Sequence, residues 1–193
     1  MPDIVLVRHG ETEWALSGQH TGVTDIDLTE AGRQAARSLG ETLKARTFVA
    51  VFTSPRRRAR DTCALAGLGD GARVVEDLAE WDYGEYEGMT TPHIREQSPG
   101  WLLWRDGAPG GETAAEVGAR ADRVLKDLAR LDGDAAVFSH GHFLRVLAVR
   151  WLDLAPGDGR LLGPLGPACL GVLGREREDH VVSAWNLAPA RPD

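Results

Sequence analysis

Three short runs along the chain are apolar without alternation: Ile4 to Val7, Val49 to Phe52 and Ala135 to Phe138. Unbroken runs of that length, rich in β-branched or aromatic residues, fit strands covered on both faces, as in a parallel sheet. Between and after them the period becomes helical. Thr29 stands as a cap before a run through Gln34, Ala35, Leu39 and Leu43, and Ser54-Pro55 reads as an N-cap followed by proline at the first helical position. Thr113-Ala114-Ala115-Glu116 is a capping box, with Val117, Ala121, Val124, Leu125, Leu128 and Leu131 following at helical spacing. A further helix is expected just after Gly141, through Leu144, Leu147 and Ala148. Late strands are expected over Leu170 to Leu173 and Val181 to Trp185. Strands alternating with helices predict an α/β fold, a three-layer α/β/α sandwich around a mostly parallel central sheet. One domain is expected over residues 1–187, with the Pro/Ala-rich residues 188–193 as a loose tail.

Composition narrows the class. At 193 residues the chain is long enough to bury a core without disulfide or metal staples. Asp and Glu number 29 against 22 Lys and Arg, a formal charge of -7, the wrong sign for a protein that binds nucleic acid by neutralising phosphates. Cys63 and Cys169 stand far apart, which favours neither a disulfide scaffold nor a Cys-built zinc site. The apolar run near the start is too short for a signal peptide or a membrane span. A cytoplasmic protein with no membrane partner is expected. A late strand such as Val181 to Trp185 could pair with a second copy, so a homodimer is also an expectation.

The chemistry lies in the segments directly after the buried runs: Arg8-His9-Gly10-Glu11-Thr12, then Thr53-Ser54-Pro55-Arg56-Arg57-Arg58-Ala59-Arg60, then Ser139-His140-Gly141-His142. Parallel strands bring these segments to one sheet edge, where open α/β sheets bind ligands. Arg8, His9, one arginine of the 56–60 cluster and His140 then share a crevice in an acidic protein, an arrangement that recruits small anions. Guanidinium forks and helix N-termini suit phosphate oxygens. Positive neighbours keep an imidazole neutral near pH 7, and a neutral imidazole can take a phosphoryl group as phosphohistidine. The leaving oxygen needs a proton, and Glu80 is the candidate donor, with Trp81, Tyr83 and Tyr86 around it to strip water away. His20 is a candidate substrate contact, while His142 reads as structural at its helix start. No H-E-x-x-H spacing or Cys partner supports a metal among these histidines, and the flanking arginines repel one. Trp81, Tyr83, Tyr86, Trp101 and Trp104 read either as a lid or as packing beneath a long loop.

Four ordered blocks carry a family resemblance. Arg8-His9-Gly10-Glu11-Thr12, with Trp14, Thr21-Gly22 and Asp25…Leu28-Thr29…Gly32 downstream, resembles the signature of the histidine phosphatase superfamily, which includes the phosphoglycerate mutases. Ser54-Pro55…Arg58-Ala59…Thr62, Glu80…Tyr83-Gly84…Glu87-Gly88 and Ser139-His140-Gly141-His142 resemble its later blocks. The resemblance implies a phosphoglycerate mutase-like fold and no cofactor. It implies His9 as the phosphorylated nucleophile, Arg8, Arg58 and His140 as the remaining phosphate pocket, and Glu80 as the proton donor. It also implies that Thr21, Gly22, Tyr83 and Gly141 contact substrate, with His20 beside them.

The chain departs from the mutase pattern at Ala15, Gln19 and Thr91, and it lacks the basic stretch and the insertion that mutases carry. Ser17-Gly18-Gln19-His20-Thr21-Gly22, the segment Glu80 to Gly88, and Trp104-Arg105-Asp106-Gly107 resemble the branch with actinobacterial acid phosphatases and the yeast sedoheptulose-bisphosphatase. The expected activity is therefore metal-independent hydrolysis of small phosphorylated metabolites, plausibly sugar phosphates, releasing inorganic phosphate. The alternatives are a 2,3-bisphosphoglycerate-dependent mutase and an inactive phosphate-binding scaffold.

Overall fold

The computed structural model describes residues 2–189. In chain order the strands are β1 (Ile4–Arg8), β2 (Ala50–Thr53), β3 (Arg73–Val74), β4 (Ala135–Ser139), β5 (Leu170–Glu176) and β6 (Asp179–Leu187). The helices are α1 (Glu13–Ser17), α2 (Glu30–Leu43), α3 (Arg57–Leu65), α4 (Thr91–Gln97), α5 (Leu103–Asp106), α6 (Ala114–Leu128) and α7 (Gly141–Trp151). The six strands form one sheet in the order β3-β2-β4-β1-β5-β6. β1, β2, β3 and β4 run parallel, with Arg8 opposite Ser139 and Thr53 opposite Phe138 in the ladder. β5 is antiparallel to β1, and β6 returns antiparallel to β5 at the sheet edge.

Alternate residues of β1 and β4 feed two separate cores. Ile4, Leu6, Ala135 and Val137 pack with Val117, Ala121 and Val124 of α6 and with Phe143, Leu144 and Leu147 of α7. Val5, Val7, Ala136 and Phe138 pack on the other face with Leu39 and Leu43 of α2 and Cys63 of α3. Helices on both faces explain why these runs are apolar at every position. The expected three layers and mostly parallel sheet are present. Gly10 and Gly32 let α2 close on the loop after β1, since a Cβ on Gly10 would lie 2.6 Å from the Gly32 carbonyl oxygen.

Two caps match expectation: Thr29 accepts from Gly32 N, and Thr113 with Glu116 forms the capping box of α6. The Ser54-Pro55 start does not. α3 begins at Arg57, with Arg56 as an N-cap that makes no side-chain cap bond; the Ser54 hydroxyl precedes the helix, accepting from Arg56 N at 3.2 Å and lying 2.7 Å from His140 Nε2. Beyond β6 only residues 188 and 189 of the expected tail are described, and residues 190–193 lie outside the described set. Among the described residues no helix is long and apolar enough to cross a membrane.

Candidate active site

The parallel register sets the site. His9 follows β1, Ser54 follows β2 and His140 follows β4, and the ladder continues past them through His9 N–H to Ser139 O (3.0 Å) and Ser54 N–H to Phe138 O (2.9 Å). The His9 and His140 rings lie edge to face with centroids 5.2 Å apart. His9 Nδ1 is 2.7 Å from the Gly10 carbonyl oxygen, which can only accept, so Nδ1 carries the hydrogen and Nε2 of the neutral ring keeps its lone pair. Burial holds both imidazoles well below the ordinary histidine range, and the charges of Arg58 and Arg8 add to it. Burial is the larger cause, so the arginines assist a neutrality that the charge pattern of the sequence assigns to them alone.

Arg58 is fully buried, whereas Arg57 and Arg60 of the same cluster are exposed. Its guanidinium donates to the carbonyls of Thr24 (2.8 Å), Thr21 (2.8 Å) and Gly22 (3.1 Å). Arg8 donates through Nη1 to Leu165 O at 2.7 Å. Arg8 Nε, Arg58 Nε and His140 Nδ1 are buried with no hydrogen-bond partner among the described residues, as are Arg56 Nε and His180 Nε2. Buried donors are rarely left unpaired, and three of these belong to residues grouped around His9.

Glu80 caps α7 from a distance. Its Oε1 accepts from Trp81 N (2.9 Å) and Phe143 N (2.8 Å), and its Oε2 accepts from His142 N (3.1 Å). These bonds occupy two of the first N–H groups of α7, a helix start expected to serve phosphate, and leave Gly141 at the site. The α3 start is likewise taken, since Arg57 N donates to Asp25 Oδ1 at 2.9 Å.

A cavity of about 250 Å³ opens above this floor, lined by Arg8, His9, Trp14, His20, Glu80 and His142 among others. Of the expected substrate contacts, Thr21, Tyr83, Gly141 and His20 reach it. Gly22 does not: its N–H donates to Glu87 at 3.0 Å and its carbonyl accepts from Arg58. His142, which reads from sequence as structural, also lines the cavity, with Nδ1 2.6 Å from the Tyr83 hydroxyl. Burial lowers His20 to about 4. Of the two readings of the aromatic set, packing holds for most of it. Trp81, Tyr86, Trp101 and Trp104 belong to the core around α6 and α7, Tyr83 alone of the set reaches the cavity, and Trp14 joins it there.

Sequence reasoning missed three supports. Glu87 accepts from Gly22 N and Thr24 N, each at 3.0 Å, and so holds the loop whose carbonyls hold Arg58. Thr62 accepts from Gly10 N (2.9 Å) and donates to Arg58 O (2.7 Å), tying α3 to the loop after β1. Arg145 enters the cavity wall with its guanidinium 4.4 Å from the Trp104 ring centroid and its Nε on Gly159 O. Glu87 and Thr62 stand within the motif blocks and Arg145 one helical turn beyond the last, but no pattern in the sequence attaches a chemistry to them.

The profile of the "Histidine phosphatase superfamily (branch 1)" matches residues 4–188. The chain belongs to the histidine phosphatase superfamily. A curated acid phosphatase of Mycobacterium tuberculosis is 44% identical over 177 residues, covering 90% of this chain and 86% of that protein. The sedoheptulose 1,7-bisphosphatase of Saccharomyces cerevisiae is 40% identical over 185 residues, covering 79% and 68%. The solved structure of an open reading frame product from Mycobacterium tuberculosis matches this histidine phosphatase fold with a TM-score of 0.93 at 40% identity, covering 98% of this chain and 99% of that one.

Proposed function

We propose that the chain is a metal-independent phosphomonoesterase of small phosphorylated metabolites, sugar phosphates among them, working through a phosphohistidine at His9. The observation that carries this reading is the His9 ring, whose Nδ1–H is spent on Gly10 so that Nε2 is the free base beside unpartnered donors of Arg8, Arg58 and His140. In the first step the Nε2 lone pair attacks phosphorus as the P–O ester bond breaks, and the leaving oxygen takes a proton from Glu80. Glu80 Oε2 accepts one N–H and Oε1 two, so Oε2 has the spare lone pair to hold that proton. Arg8, Arg58 and His140 stabilise charge on the equatorial oxygens. In the second step a water oxygen attacks phosphorus, the P–N bond breaks, and the Glu80 carboxylate accepts the water proton. Thr21, Tyr83, His20 and Gly141 face the leaving group, and the small cavity suits a metabolite better than a polymer.

The test is acid-labile phosphate trapped on the wild-type chain during turnover of p-nitrophenyl phosphate, compared with His9→Ala. Label on the wild type alone is expected, and equal labelling of both removes the mechanism. Gln19, a departure from the mutase pattern, donates to Gly88 O at 2.8 Å and lines the cavity. A coupled assay with 3-phosphoglycerate and 2,3-bisphosphoglycerate separates hydrolase from mutase, and hydrolysis without the bisphosphate is expected.

A further inference from the structure

Ser54 is fully buried directly after β2, and its hydroxyl lies 2.7 Å from His140 Nε2. The same oxygen accepts from Arg56 N–H at 3.2 Å. A serine hydroxyl has one hydrogen to give, and among the described residues His140 Nε2 is the acceptor within reach of it. The two possible arrangements are not equivalent. If Nε2–H donates to Ser54, the hydroxyl hydrogen is left buried without an acceptor, and His140 Nδ1 becomes a bare lone pair. If the hydroxyl donates to Nε2, both Ser54 bonds are satisfied and the ring hydrogen moves to Nδ1, the buried nitrogen that has no partner among the described residues.

We propose that Ser54 is a positioning residue that sets the tautomer of His140, so that Nδ1–H faces the transferring phosphoryl group as a donor. This rests on the placement of that group beside His9 and His140 given under Proposed function. The contact works because the ring is neutral: burial first, then Arg58, His9, Arg8 and Arg56, keep a second proton off it. With the opposite tautomer a lone pair would meet phosphoryl oxygens and repel them. Ser54 therefore acts on the reaction through His140, without touching substrate.

The experiment is nitrogen-15 spectroscopy of ring-labelled histidine in the full chain near pH 7, with His140 assigned by its loss in His140→Ala. Wild type is expected to show Nδ1 protonated and Nε2 bare. Ser54→Ala is expected to move the ring to the Nε2–H form or a mixture, and to lower kcat on p-nitrophenyl phosphate about tenfold to a hundredfold with KM changed less. Ser54→Thr, which keeps the hydroxyl, is expected to restore both. A wild-type ring protonated on Nε2, or a Ser54→Ala ring pattern identical to wild type, overturns the proposal. Should Ser54→Ala fail to fold, the wild-type pattern alone decides. The ring measurement needs no turnover, so it stands apart from phosphate trapping on His9, whose failure would sink the enzymatic reading and leave the tautomer intact.

Discussion

The floor and the wall of the cavity are built in different ways. On the floor, His9, Ser54 and His140 each occupy the first position beyond a parallel strand, and ladder bonds reach past the strand ends to fix His9 and Ser54. The wall draws on His20, Tyr83, Arg145 and Leu165, from three loops and one helix, with Tyr83 OH to His142 and Gln19 to Gly88 O among its ties. A floor made of strand ends holds its groups to a fixed geometry, as charge stabilisation in a transition state requires. A wall made of loops can vary without disturbing the sheet. On the function proposed above, the floor would hold the phosphoryl group, and the wall would meet whatever is attached to it.

The sharpest break in that contrast is Glu80→Gln, because Glu80 belongs to both regions. It lines the cavity and also caps α7. Loss of the proton donor is expected to lower kcat on alkyl phosphates about 10²- to 10⁴-fold. For p-nitrophenyl phosphate, whose leaving group departs without a proton, the loss is expected to be much smaller. Equal losses on both substrates would assign Glu80 to the cap alone. A fall in Tm is also expected, since an amide NH₂ then faces a backbone N–H that had a carboxylate oxygen.

Next in size is Glu87→Ala, which leaves the floor untouched but releases Gly22 and Thr24, whose carbonyls hold Arg58. Hydrogen bonds to a charged group contribute about 1.5–3 kcal/mol each, net of the water bonds they replace. A lower Tm is expected together with a fall in kcat/KM of about tenfold or more, and phosphate binding measured by calorimetry should weaken in parallel. Unchanged phosphate affinity would show that Arg58 needs no help from the loop.

Acid separates folding from catalysis. His9, His140 and His142 sit below the ordinary histidine value of 6.5 in the folded chain, and His20 is lowered to about 4. Below pH 6.5 the unfolded chain binds protons that the folded chain refuses, so stability falls with pH. The slope approaches about 1.4 kcal/mol per pH unit for each of His9 and His140. The stability contributed by neutrality is full above 6.5 and is lost from there downward, to about 4 for His20. Denaturation midpoints in urea at pH 7 and pH 5.5 should show the loss, while initial rates at pH 5.5 persist because Nε2 of His9 stays unprotonated. A rate that collapses near pH 6.5 with the fold intact would place the nucleophile's titration where free histidine has it.

The floor was legible because unbroken apolar runs followed by His-Gly name both the strand and its end. Arg58 was not separable from its neighbours by charge, yet Ala59, Thr62 and Cys63 are buried with it on one face of α3, a helical phase the sequence displays. The tie from Ser54 to His140 was not legible because Ser-Pro before a helix has the same pattern whether or not the hydroxyl also reaches a ring distant in sequence. The tryptophans could not be sorted in advance. Between residues 79 and 113 no period distinguishes a side chain beneath a loop from one above a cavity, and contacts with α6 and α7, remote in sequence, draw most of them inward.

Arg145→Ala tests the wall with the smallest expected effect. Its Nε is held by Gly159 O and its plane by Trp104, and among the described residues its Nη atoms have no hydrogen-bond partner. Burial lowers its pKa and the neighbouring charge of Glu80 partly opposes that, and its side chain lines the cavity. With p-nitrophenyl phosphate, whose ring offers no anion, kcat and KM should change less than about threefold. With phosphorylated metabolites that carry hydroxyl or anionic groups away from the ester, KM should rise about three- to tenfold at constant kcat, the mark of uniform binding. A fall in kcat on both substrates would mean that Arg145 acts on the phosphoryl group itself, and the division between floor and wall would have to be redrawn to include it.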